Sequence, residues 1–476
     1  MLTWLGRVAR WVLIVAVLSI SSGLMGRSTY APAELVDRAI AQNFREWAFD
    51  LIGWEVDAIS DKVSAFIEQP SADLSQDDAT ELVRNYLERA RQIAALEVEL
   101  SRLGSATAES ELKTSQDDTQ DASLGTSSEG KEGAATEEAA TGDAAASQNR
   151  MLEIQAEIDE LRDLQVETRL AAEAIIQGQV GDALVNKGLR IANQPFPPVL
   201  FSFTEPPKKL VVSPRNRIET RYAQMLDADI TLDVIEESEQ RIFEEQNLSA
   251  YVTNIGGLGA FPAMVVDRAS LGWVLSTVAH EWVHNYLVLF PLGFNYGQNQ
   301  EITIINETVA DIIGNEIGLD VARRFYPEAV PPTPVPQDTS AQESSSSANA
   351  ADINDDMVSD NQPQEEPPPF DFRNEMRETR LEVDRLLADG QVDAAEAYME
   401  QQRLRFVEEG YNLRVLNQAY FAFHGNYGTS AAATSTIGPK LEELRELSPD
   451  LKSFVEQIRW LKTEAEIDNA INKIKE

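Results

Sequence analysis

The sequence predicts an α+β fold, with a small mixed sheet and two buried helices between an N-terminal and a C-terminal helical region. Three observations lead to this prediction. Apolar residues recur at helical spacing in the N-terminal third, short segments of β type lie between positions 195 and 270, and helical patterns dominate after position 270. A hydrophobic content of 43% over 476 residues is enough to bury at least one sizeable core.

Two features of the composition limit the possible functions. The formal net charge of −39 repels phosphate backbones and anionic lipid headgroups, so we expect no nucleic-acid partner. The chain has no cysteine, which excludes disulfides, thiolate ligands and a thiol nucleophile. A bound metal would therefore need histidine, aspartate or glutamate ligands.

Residues 1–27 have the pattern of an export signal. Arg7 and Arg10 precede a run of sixteen uncharged residues, from Trp11 to Gly26. This run is short for a helix that spans a bilayer, which needs about 20 residues, and it also fits the core of a cleaved signal peptide. The N-terminus is thus either a membrane anchor or a signal peptide, and both place the rest of the chain outside the cytoplasm.

Residues 28–194 are predicted to be helical. Two segments follow a heptad-like apolar spacing, which favours an antiparallel coiled-coil hairpin. The first contains Leu82, Tyr86, Ile93, Leu96, Leu100 and Leu103, and the second contains Met151, Ile154, Ile158 and Leu161. Between them, residues 104–149 are mostly small or acidic and bury too little to offset the entropy lost on ordering. We expect a disordered insert at the hairpin tip, with an acidic docking arm as the alternative.

Residues 195–326 combine strand and helix patterns, which predicts a compact α+β core. Strands are expected at 200–203, 209–212, 250–255 and 263–266, with a helix at 230–247. The last of these strands would offer an edge to which an extended peptide could add. A turn is expected at the glycine-rich run 256–259, because no phosphate-binding helix follows it.

The C-terminal part of the chain divides into two regions. Residues 327–371 are rich in Pro, Ser and Asp, which predicts a disordered linker. From 372 to 476 the helical pattern returns, so we expect a helical subdomain that packs beside the core. A separate binding module is the alternative.

The most informative motif is HExxH, from His280 to His284, in a helical segment that follows Ser270, a suitable N-cap. Two of the three histidines of the chain lie here. Positions i and i+4 share one face of a helix, so both imidazoles can bind one zinc ion. Glu281 would then lie next to the open coordination position of that ion.

A second acidic pair would complete a zinc site. Glu307 and Asp311 are again four residues apart, on an apolar helical segment. In this segment Ala310 and Gly314 are small enough for close packing against the first helix. Buried carboxylates on such a helix need a cation or hydrogen-bond donors, and zinc and a ligand histidine would meet that need.

The two motifs together, HExxH and NExxxD within residues 270–316, resemble those of the gluzincin zinc peptidases, the thermolysin-like group. The resemblance implies a zincin-like core with Zn²⁺ as cofactor. The implied zinc ligands are His280, His284 and Glu307. It also implies that Glu281 is the general base and that Asp311 and Asn306 support the ligands, with Asp311 holding the second ring nitrogen of His280.

The resemblance further implies a His or Tyr in the C-terminal part that donates a hydrogen bond to the developing oxyanion. His424 is the first candidate, and its rivals are Tyr427, Tyr420 and Tyr296. The alternative for His424 is a helix-end histidine that packs among aromatic residues. These positions are hypotheses from residue type alone.

We therefore expect an exported zinc peptidase that hydrolyses a peptide or protein substrate. Endopeptidase and exopeptidase activity are both compatible with the sequence. One alternative is a catalytically inactive surface binding protein on the same scaffold, which the presence of Glu281 and Glu307 disfavours. The other is a zinc hydrolase that acts on a non-peptide amide or ester, and the residues do not separate it from a peptidase.

Overall fold

The computed structural model describes residues 35–68, 74–121, 133–330 and 370–476. The predicted export signal at 1–27 lies outside these residues, as does most of the predicted linker at 327–371. Among the helices of the described residues, none is both long enough and apolar enough to cross a membrane. The mixed α+β class is confirmed, with mostly helical structure and small sheets.

Helices make up most of the described chain. Before the sheets they are α1 (Leu35–Asn43), α2 (Leu51–Glu68), α3 (Gln76–Asp121) and α4 (Gly133–Asn186), with a 3₁₀ turn at Arg45–Trp47. Between and after the strands they are α5 (Leu232–Gln246), α6 (Leu271–Leu287), α7 (Pro291–Phe294) and α8 (Gln300–Phe325), with a 3₁₀ turn at Pro327–Ala329. The C-terminal helices are α9 (Phe372–Ala388), α10 (Val392–Glu408), α11 (Gln418–His424), α12 (Ile437–Leu447), α13 (Leu451–Ile458) and α14 (Glu464–Lys475).

The strands form small sheets. They are β1 (Arg190–Ile191), β2 (Gln194–Pro195), β3 (Phe201–Phe203), β4 (Lys208–Pro214), β5 (Tyr222–Leu226), β6 (Leu248–Thr253), β7 (Gly257–Leu258) and β8 (Ala263–Val265). Strands β1 and β2 form a short antiparallel pair. Strand β4 lies between β5 and β6 in an antiparallel sheet. Strand β8 pairs in parallel with β3 and antiparallel with β7.

Three expectations about these strands are wrong. The sequence predicts a free edge at 263–266, but β8 is paired on both sides, and β7 is the edge strand. The glycine run 256–259, expected to be a turn, therefore contains a strand. Strand β5 is missing from the prediction because its inward positions include a polar residue, Gln224, whose side chain accepts a hydrogen bond from the Tyr222 hydroxyl.

Residues 75–172 form one of two compact units. In this unit α3 and the N-terminal part of α4 run antiparallel, because Arg89 bonds to Thr168 while Arg150 bonds to Glu99. The residues buried between the two helices are Ile93, Ile154 and Ile158. The predicted pairing of two antiparallel helical arms is therefore present.

The two helices extend further towards the tip of this unit than expected. The backbone is helical to Asp121 and again from Gly133, so both helices enter the range 104–149 that the sequence predicts to be disordered. This range is rich in Ala and Glu, which have high intrinsic helix propensity, and the prediction gave that propensity too little weight. Residues 122–132 lie outside the described residues.

The second compact unit contains the described residues before 75 and after 172, and its antiparallel sheet is covered on both faces. On one face, Leu210 and Val212 of β4 pack against Ile235 and Ile242 of α5 and against α1. On the other face, Val211 packs against α11. The residues of α11 that are buried in this contact are Ala419, Ala422 and Phe423. The C-terminal helices therefore belong to the same unit as the sheet.

Helices α6 and α8 pack closely because α8 carries glycines at the contact. A Cβ atom built on Gly314 would lie 2.8 Å from the carbonyl oxygen of Ser276. One built on Gly318 would lie 2.7 Å from the backbone nitrogen of the same residue. No larger side chain fits at either distance, so the predicted close packing at Gly314 is confirmed. This approach brings the HExxH helix and the glutamate helix together.

Candidate metal centre

The two histidines of the HExxH motif lie on one face of α6. The helix begins after Ser270, whose side chain accepts a hydrogen bond from the backbone N–H of Trp273. The rings of His280 and His284 are 4.8 Å apart between centroids. Their Nε2 atoms are only 3.0 Å apart, so both nitrogens point to the same place.

Helix α8 brings a carboxylate to the same place. The Oε2 atom of Glu307 lies 3.6 Å from Nε2 of His280 and 3.6 Å from Nε2 of His284. Among the described residues, these three side chains form the group that could hold a metal ion, with ligand atoms all within 4.8 Å of one another. His280 and His284 are partly exposed, and Glu307 is buried.

The outer ring nitrogens of both histidines have oxygen partners on α8. Nδ1 of His280 lies 3.0 Å from Oδ1 of Asp311, and Nδ1 of His284 lies 2.8 Å from Oδ1 of Asn306. Asn306 is itself held by the carbonyl oxygen of Leu292, to which its side-chain N–H donates. Oxygen acceptors at both Nδ1 atoms favour the tautomer in which each Nε2 is unprotonated, which is the form that binds a metal.

The charges of the group are strongly coupled. Burial disfavours the charged form of His280, but hydrogen bonds to Asp311 and Glu307 outweigh it and raise the pKa of His280 well above its usual value. Burial raises the pKa of Glu307, but the two histidines outweigh burial and lower this pKa well below its usual value. The site thus favours a positive charge between its donors, whether a proton or a metal ion supplies it.

Glu281 is buried beside this group, and burial is the largest influence that raises its pKa. The edge strand β7 lies directly against it. A Cβ atom built on Gly257 would be 2.3 Å from Oε1 of Glu281, and one built on Gly259 would be 3.0 Å from Cβ of His284. The glycine run thus lets backbone lie where no side chain would fit.

The negative charges of the site act on two tyrosines, of which Tyr296 contacts the group directly. The Tyr296 hydroxyl donates a hydrogen bond to Oε1 of Glu307. Burial, followed by the charge of Glu307, raises the pKa of Tyr296 well above its usual value. Burial and the charges of Glu307, Asp311 and Glu281 do the same for Tyr427. Both hydroxyls therefore keep their protons at neutral pH.

His424, the first candidate for the oxyanion donor, packs elsewhere. Its ring lies 4.2 Å from the Tyr420 ring and 6.1 Å from the Tyr251 ring, between centroids. Burial alone lowers the pKa of His424 to about 3, and its Nε2 has no hydrogen-bond partner among the described residues. These contacts match the helix-end packing alternative. They also place Tyr420 in the aromatic cluster, which leaves Tyr296 and Tyr427 as the remaining candidates for the oxyanion donor.

Lys209 is a residue near the metal centre that the sequence does not indicate. It stands at the start of β4, before a run of apolar residues, where a lysine normally marks the exposed end of a strand. In the folded chain the charges of Glu307 and Glu281 act on its side chain. No signal in the sequence relates position 209 to the HExxH motif, because the two are distant in the chain and only the folded structure brings the charges of Glu307 and Glu281 to act on Lys209.

Comparisons of the chain with protein-family models, with curated proteins and with solved structures find no match. The chemistry of the site therefore has to follow from its own atoms. These are two imidazole nitrogens and a carboxylate oxygen that converge, a buried carboxyl group beside them, and two tyrosine hydroxyls.

Proposed function

We propose that this protein is a zinc-dependent peptidase of the gluzincin type. The observation that carries the proposal is the convergence of three ligand atoms, 3.0 to 3.6 Å apart, beside the buried carboxyl group of Glu281. Ligand atoms at about 2.0–2.1 Å from a tetrahedral zinc ion are roughly 3.4 Å from each other. Two histidines and one glutamate, with room for water, are a typical donor set of catalytic zinc.

When bound, zinc would lower the pKa of a water molecule and polarise the carbonyl group of the substrate. The residues of the chain would do the rest. Glu281 would accept the proton of the attacking water and pass it to the leaving amine. Its raised pKa suits this exchange, because a carboxyl group that holds a proton more tightly is a better base. Asp311 and Asn306 would keep the ligand nitrogens of His280 and His284 in place.

Tyr427 is the best candidate to stabilise the negative charge that develops on the substrate oxygen. Its hydroxyl makes no hydrogen bond within the described residues, whereas the Tyr296 hydroxyl is already bonded to Glu307. A hydroxyl that keeps its proton and faces the site can donate to a substrate oxygen without prior rearrangement. This role replaces the one that the sequence suggested for His424.

The free edge of β7 would receive the substrate. Gly257 lies against Glu281, so a peptide that pairs with this edge would pass directly by the general base. Glycine at 257 and 259 leaves space for the peptide backbone as well as for Glu281 and His284. The proposal moves the substrate strand from β8, which is fully paired, to β7.

The proposal includes export from the cytoplasm, which rests on the charge and apolar pattern of residues 1–27. Its N-terminal segment would be either an anchor or a cleaved signal. The substrate would be a peptide or protein outside the cytoplasm. The anchor and the cleaved signal are distinguished by expressing the full chain in bacteria, followed by fractionation and N-terminal sequencing. An anchor keeps Met1 and leaves the protein in the membrane fraction.

The proposed function is tested by metal analysis and by digestion of a peptide library. We expect one zinc ion per chain, and cleavage that a chelator abolishes and added zinc restores. Glu281→Gln should keep the zinc and lose at least about 100-fold in kcat, since an amide cannot accept the proton. Glu237→Gln, on the exposed face of α5, is the matched control and should behave as wild type.

Three results would contradict the proposal. If the protein takes up no zinc, the group of His280, His284 and Glu307 is not a zinc site. If zinc-loaded protein cleaves no peptide but hydrolyses simple amides or esters in a way that depends on Glu281, the protein is a zinc hydrolase of another class and not a peptidase. Zinc-loaded protein with no hydrolytic activity at all would favour the inactive binding protein.

A further inference from the structure

Lys209 points away from the hydrophobic core of the sheet. Successive residues of a strand face opposite sides, and Leu210 and Val212 face the core that α5 covers. Lys209 shares the other face with Val211, which packs against α11. Its Nζ lies 5.5 Å from the centre of the Phe423 ring, so the ammonium group lies over this aromatic side chain.

This face of β4 leads towards the candidate metal centre. Tyr427 packs in the same cluster, and the backbone N–H of the next residue, Gly428, donates a hydrogen bond to Oγ1 of Thr308, the neighbour of Glu307. Burial lowers the pKa of Lys209, and the negative charges of Glu307 and Glu281 act in the opposite direction. The side chain is partly exposed. Within the described residues Nζ has no carboxylate at ion-pair distance. Lys209 therefore lies near the carboxylates of the site but is not bonded to them.

A lysine in such a position lacks a direct counter-ion, which disfavours its charged form. The nearby carboxylates are already engaged, since Glu307 accepts a hydrogen bond from Tyr296 and faces both histidines. A divalent cation bound there would add positive charge and make an anion near Lys209 still more favourable. The missing partner of Lys209 is thus an anionic group that enters from the solvent.

We propose that Lys209 binds a carboxylate of the substrate, so that the site selects peptides that carry a negative charge close to the scissile bond. This inference rests on the proposed peptidase function and deepens it by naming the substrate class. The carboxylate has two possible sources, the free C-terminus of a short peptide or the side chain of an acidic residue. Both present the same chemistry to an ammonium group.

The overall charge of the protein makes a local cation more important. At a net charge of −39 the chain repels acidic peptides at long range. Salt screens this repulsion beyond about 8 Å at physiological ionic strength, whereas a partly buried pair is screened much less. A single ammonium group beside the candidate metal centre can therefore decide the preference between two peptides that differ in one charge.

Lys208 supplies a matched control for Lys209. It is the preceding residue of β4, and its side chain faces the opposite side of the strand. Its Nζ donates a hydrogen bond to the carbonyl oxygen of Ala228, so it already has a partner. Replacing Lys208 removes one lysine from the same strand and leaves the cation at the metal centre unchanged.

The experiment measures kcat/KM for four peptides of one cleaved sequence. They combine a free or amidated C-terminus with Glu or Gln next to the scissile bond. Wild-type enzyme should prefer a charged peptide over its neutral counterpart by about 10- to 100-fold, the range of a charge-assisted hydrogen bond. Lys209→Met should reduce this ratio to near one, Lys209→Arg should keep most of it, and Lys208→Met should keep all of it.

The pair of peptides that shows the preference identifies the source of the carboxylate. Preference for a free over an amidated C-terminus assigns the α-carboxylate, and preference for Glu over Gln assigns the side chain. Zinc content and melting temperature verify that each variant is folded, and Lys209→Gln replaces Lys209→Met if the latter is not.

Failure of the role of Lys209 and failure of the peptidase function give different results. Equal ratios in wild type and in the Lys209→Met or Lys209→Gln variant, or a wild-type preference for the neutral peptides, overturn the role of Lys209 and leave the peptidase intact. Absence of any zinc-dependent cleavage by wild-type protein removes the peptidase, and the role of Lys209 with it.

Discussion

The three histidines of this chain occupy two environments that differ in their polar partners. His280 and His284 each have an oxygen at Nδ1 and a shared carboxylate at Nε2. His424 is buried among aromatic rings, and its Nε2 has no partner among the described residues. Burial is the largest single influence on the pKa of His280 as well as of His424, yet the two values move in opposite directions.

The difference lies in the partners that each histidine ring has. Burial alone keeps an imidazole neutral and inert, as at His424. Partners on a second helix orient the ring and let it hold a charge, as at His280. The HExxH helix needs α8 for this reason, because α8 supplies Glu307, Asn306 and Asp311 together. Four substitutions test the comparison.

The largest effect is expected at Glu307. Glu307→Ala leaves two histidines to hold the ion, so we expect metal binding to be lost, or weakened by far more than about 100-fold. Zinc titration followed by calorimetry measures it. Asp320→Ala is the control, a carboxylate on the same helix whose partner is Arg324. Metal affinity close to wild type in Glu307→Ala would show that the third ligand is another residue.

The second effect concerns the backbone that encloses the centre. Gly257→Ala would force Glu281 from its position, since the new Cβ would lie 2.3 Å from Oε1. A displacement of about 1 Å can reduce catalysis by roughly 100-fold, so kcat should fall by that order while zinc content stays the same. Gly272→Ala, on α6 with open space at its Cβ, is the control. Full activity in Gly257→Ala would exclude Glu281 as the base in this geometry.

The third effect separates a ligand from the residue that orients it. Asp311→Ala frees Nδ1 of His280 but removes no ligand, so metal affinity should fall by about 10- to 100-fold. The comparison of metal affinity in Glu307→Ala and Asp311→Ala decides which of the two carboxylates is the ligand. If Asp311→Ala lost the metal while Glu307→Ala kept it, the assignment of the two carboxylates would be reversed.

The smallest effect is expected at His424, on stability alone. Its pKa falls from 6.5 to about 3 on folding, so between these values the unfolded chain binds a proton that the folded chain does not. Stability is therefore lost as the pH falls below 6.5, by about 1.4 kcal/mol per pH unit. His424→Phe removes this loss and should gain roughly 2 kcal/mol relative to wild type on going from pH 7 to pH 5.

Chemical denaturation at the two pH values measures the change, and zinc binding should be the same in both proteins. A variant that loses zinc would instead bring His424 back to the metal centre. A difference between variant and wild type that does not change with pH would contradict the neutral, buried state of His424.

The sequence predicts which side chains converge at the candidate metal centre, because their arrangement is local. His280 and His284 share a helical face by spacing alone, and Glu307 and Asp311 do so on the next long helix. The need to satisfy two buried carboxylates then indicates that the two helices meet. Gly314 makes the close contact possible, and its lack of a side chain is visible in the sequence.

Features that depend on neighbours distant in the chain were predicted poorly. His424 and Tyr427 are three residues apart on and after α11, and residue type gave no reason to prefer the tyrosine. Strand β8 has the pattern of a strand, but its position between β3 and β7 follows only from pairing. Export and the linker concern residues outside the described part of the chain, so they stay predictions.

The sequence by itself determined the α+β class, the long helices, and the three residues of the HExxH and NExxxD motifs that could hold one metal ion. Spacing along a helix decides which side chains share a face, and this is a property of a few consecutive residues. Only the tertiary structure decided that His424 lies in the aromatic cluster, that β7 is the edge strand, and that the charges of Glu307 and Glu281 act on Lys209. These relations join residues that are distant in the chain, and packing is set by all the contacting surfaces together.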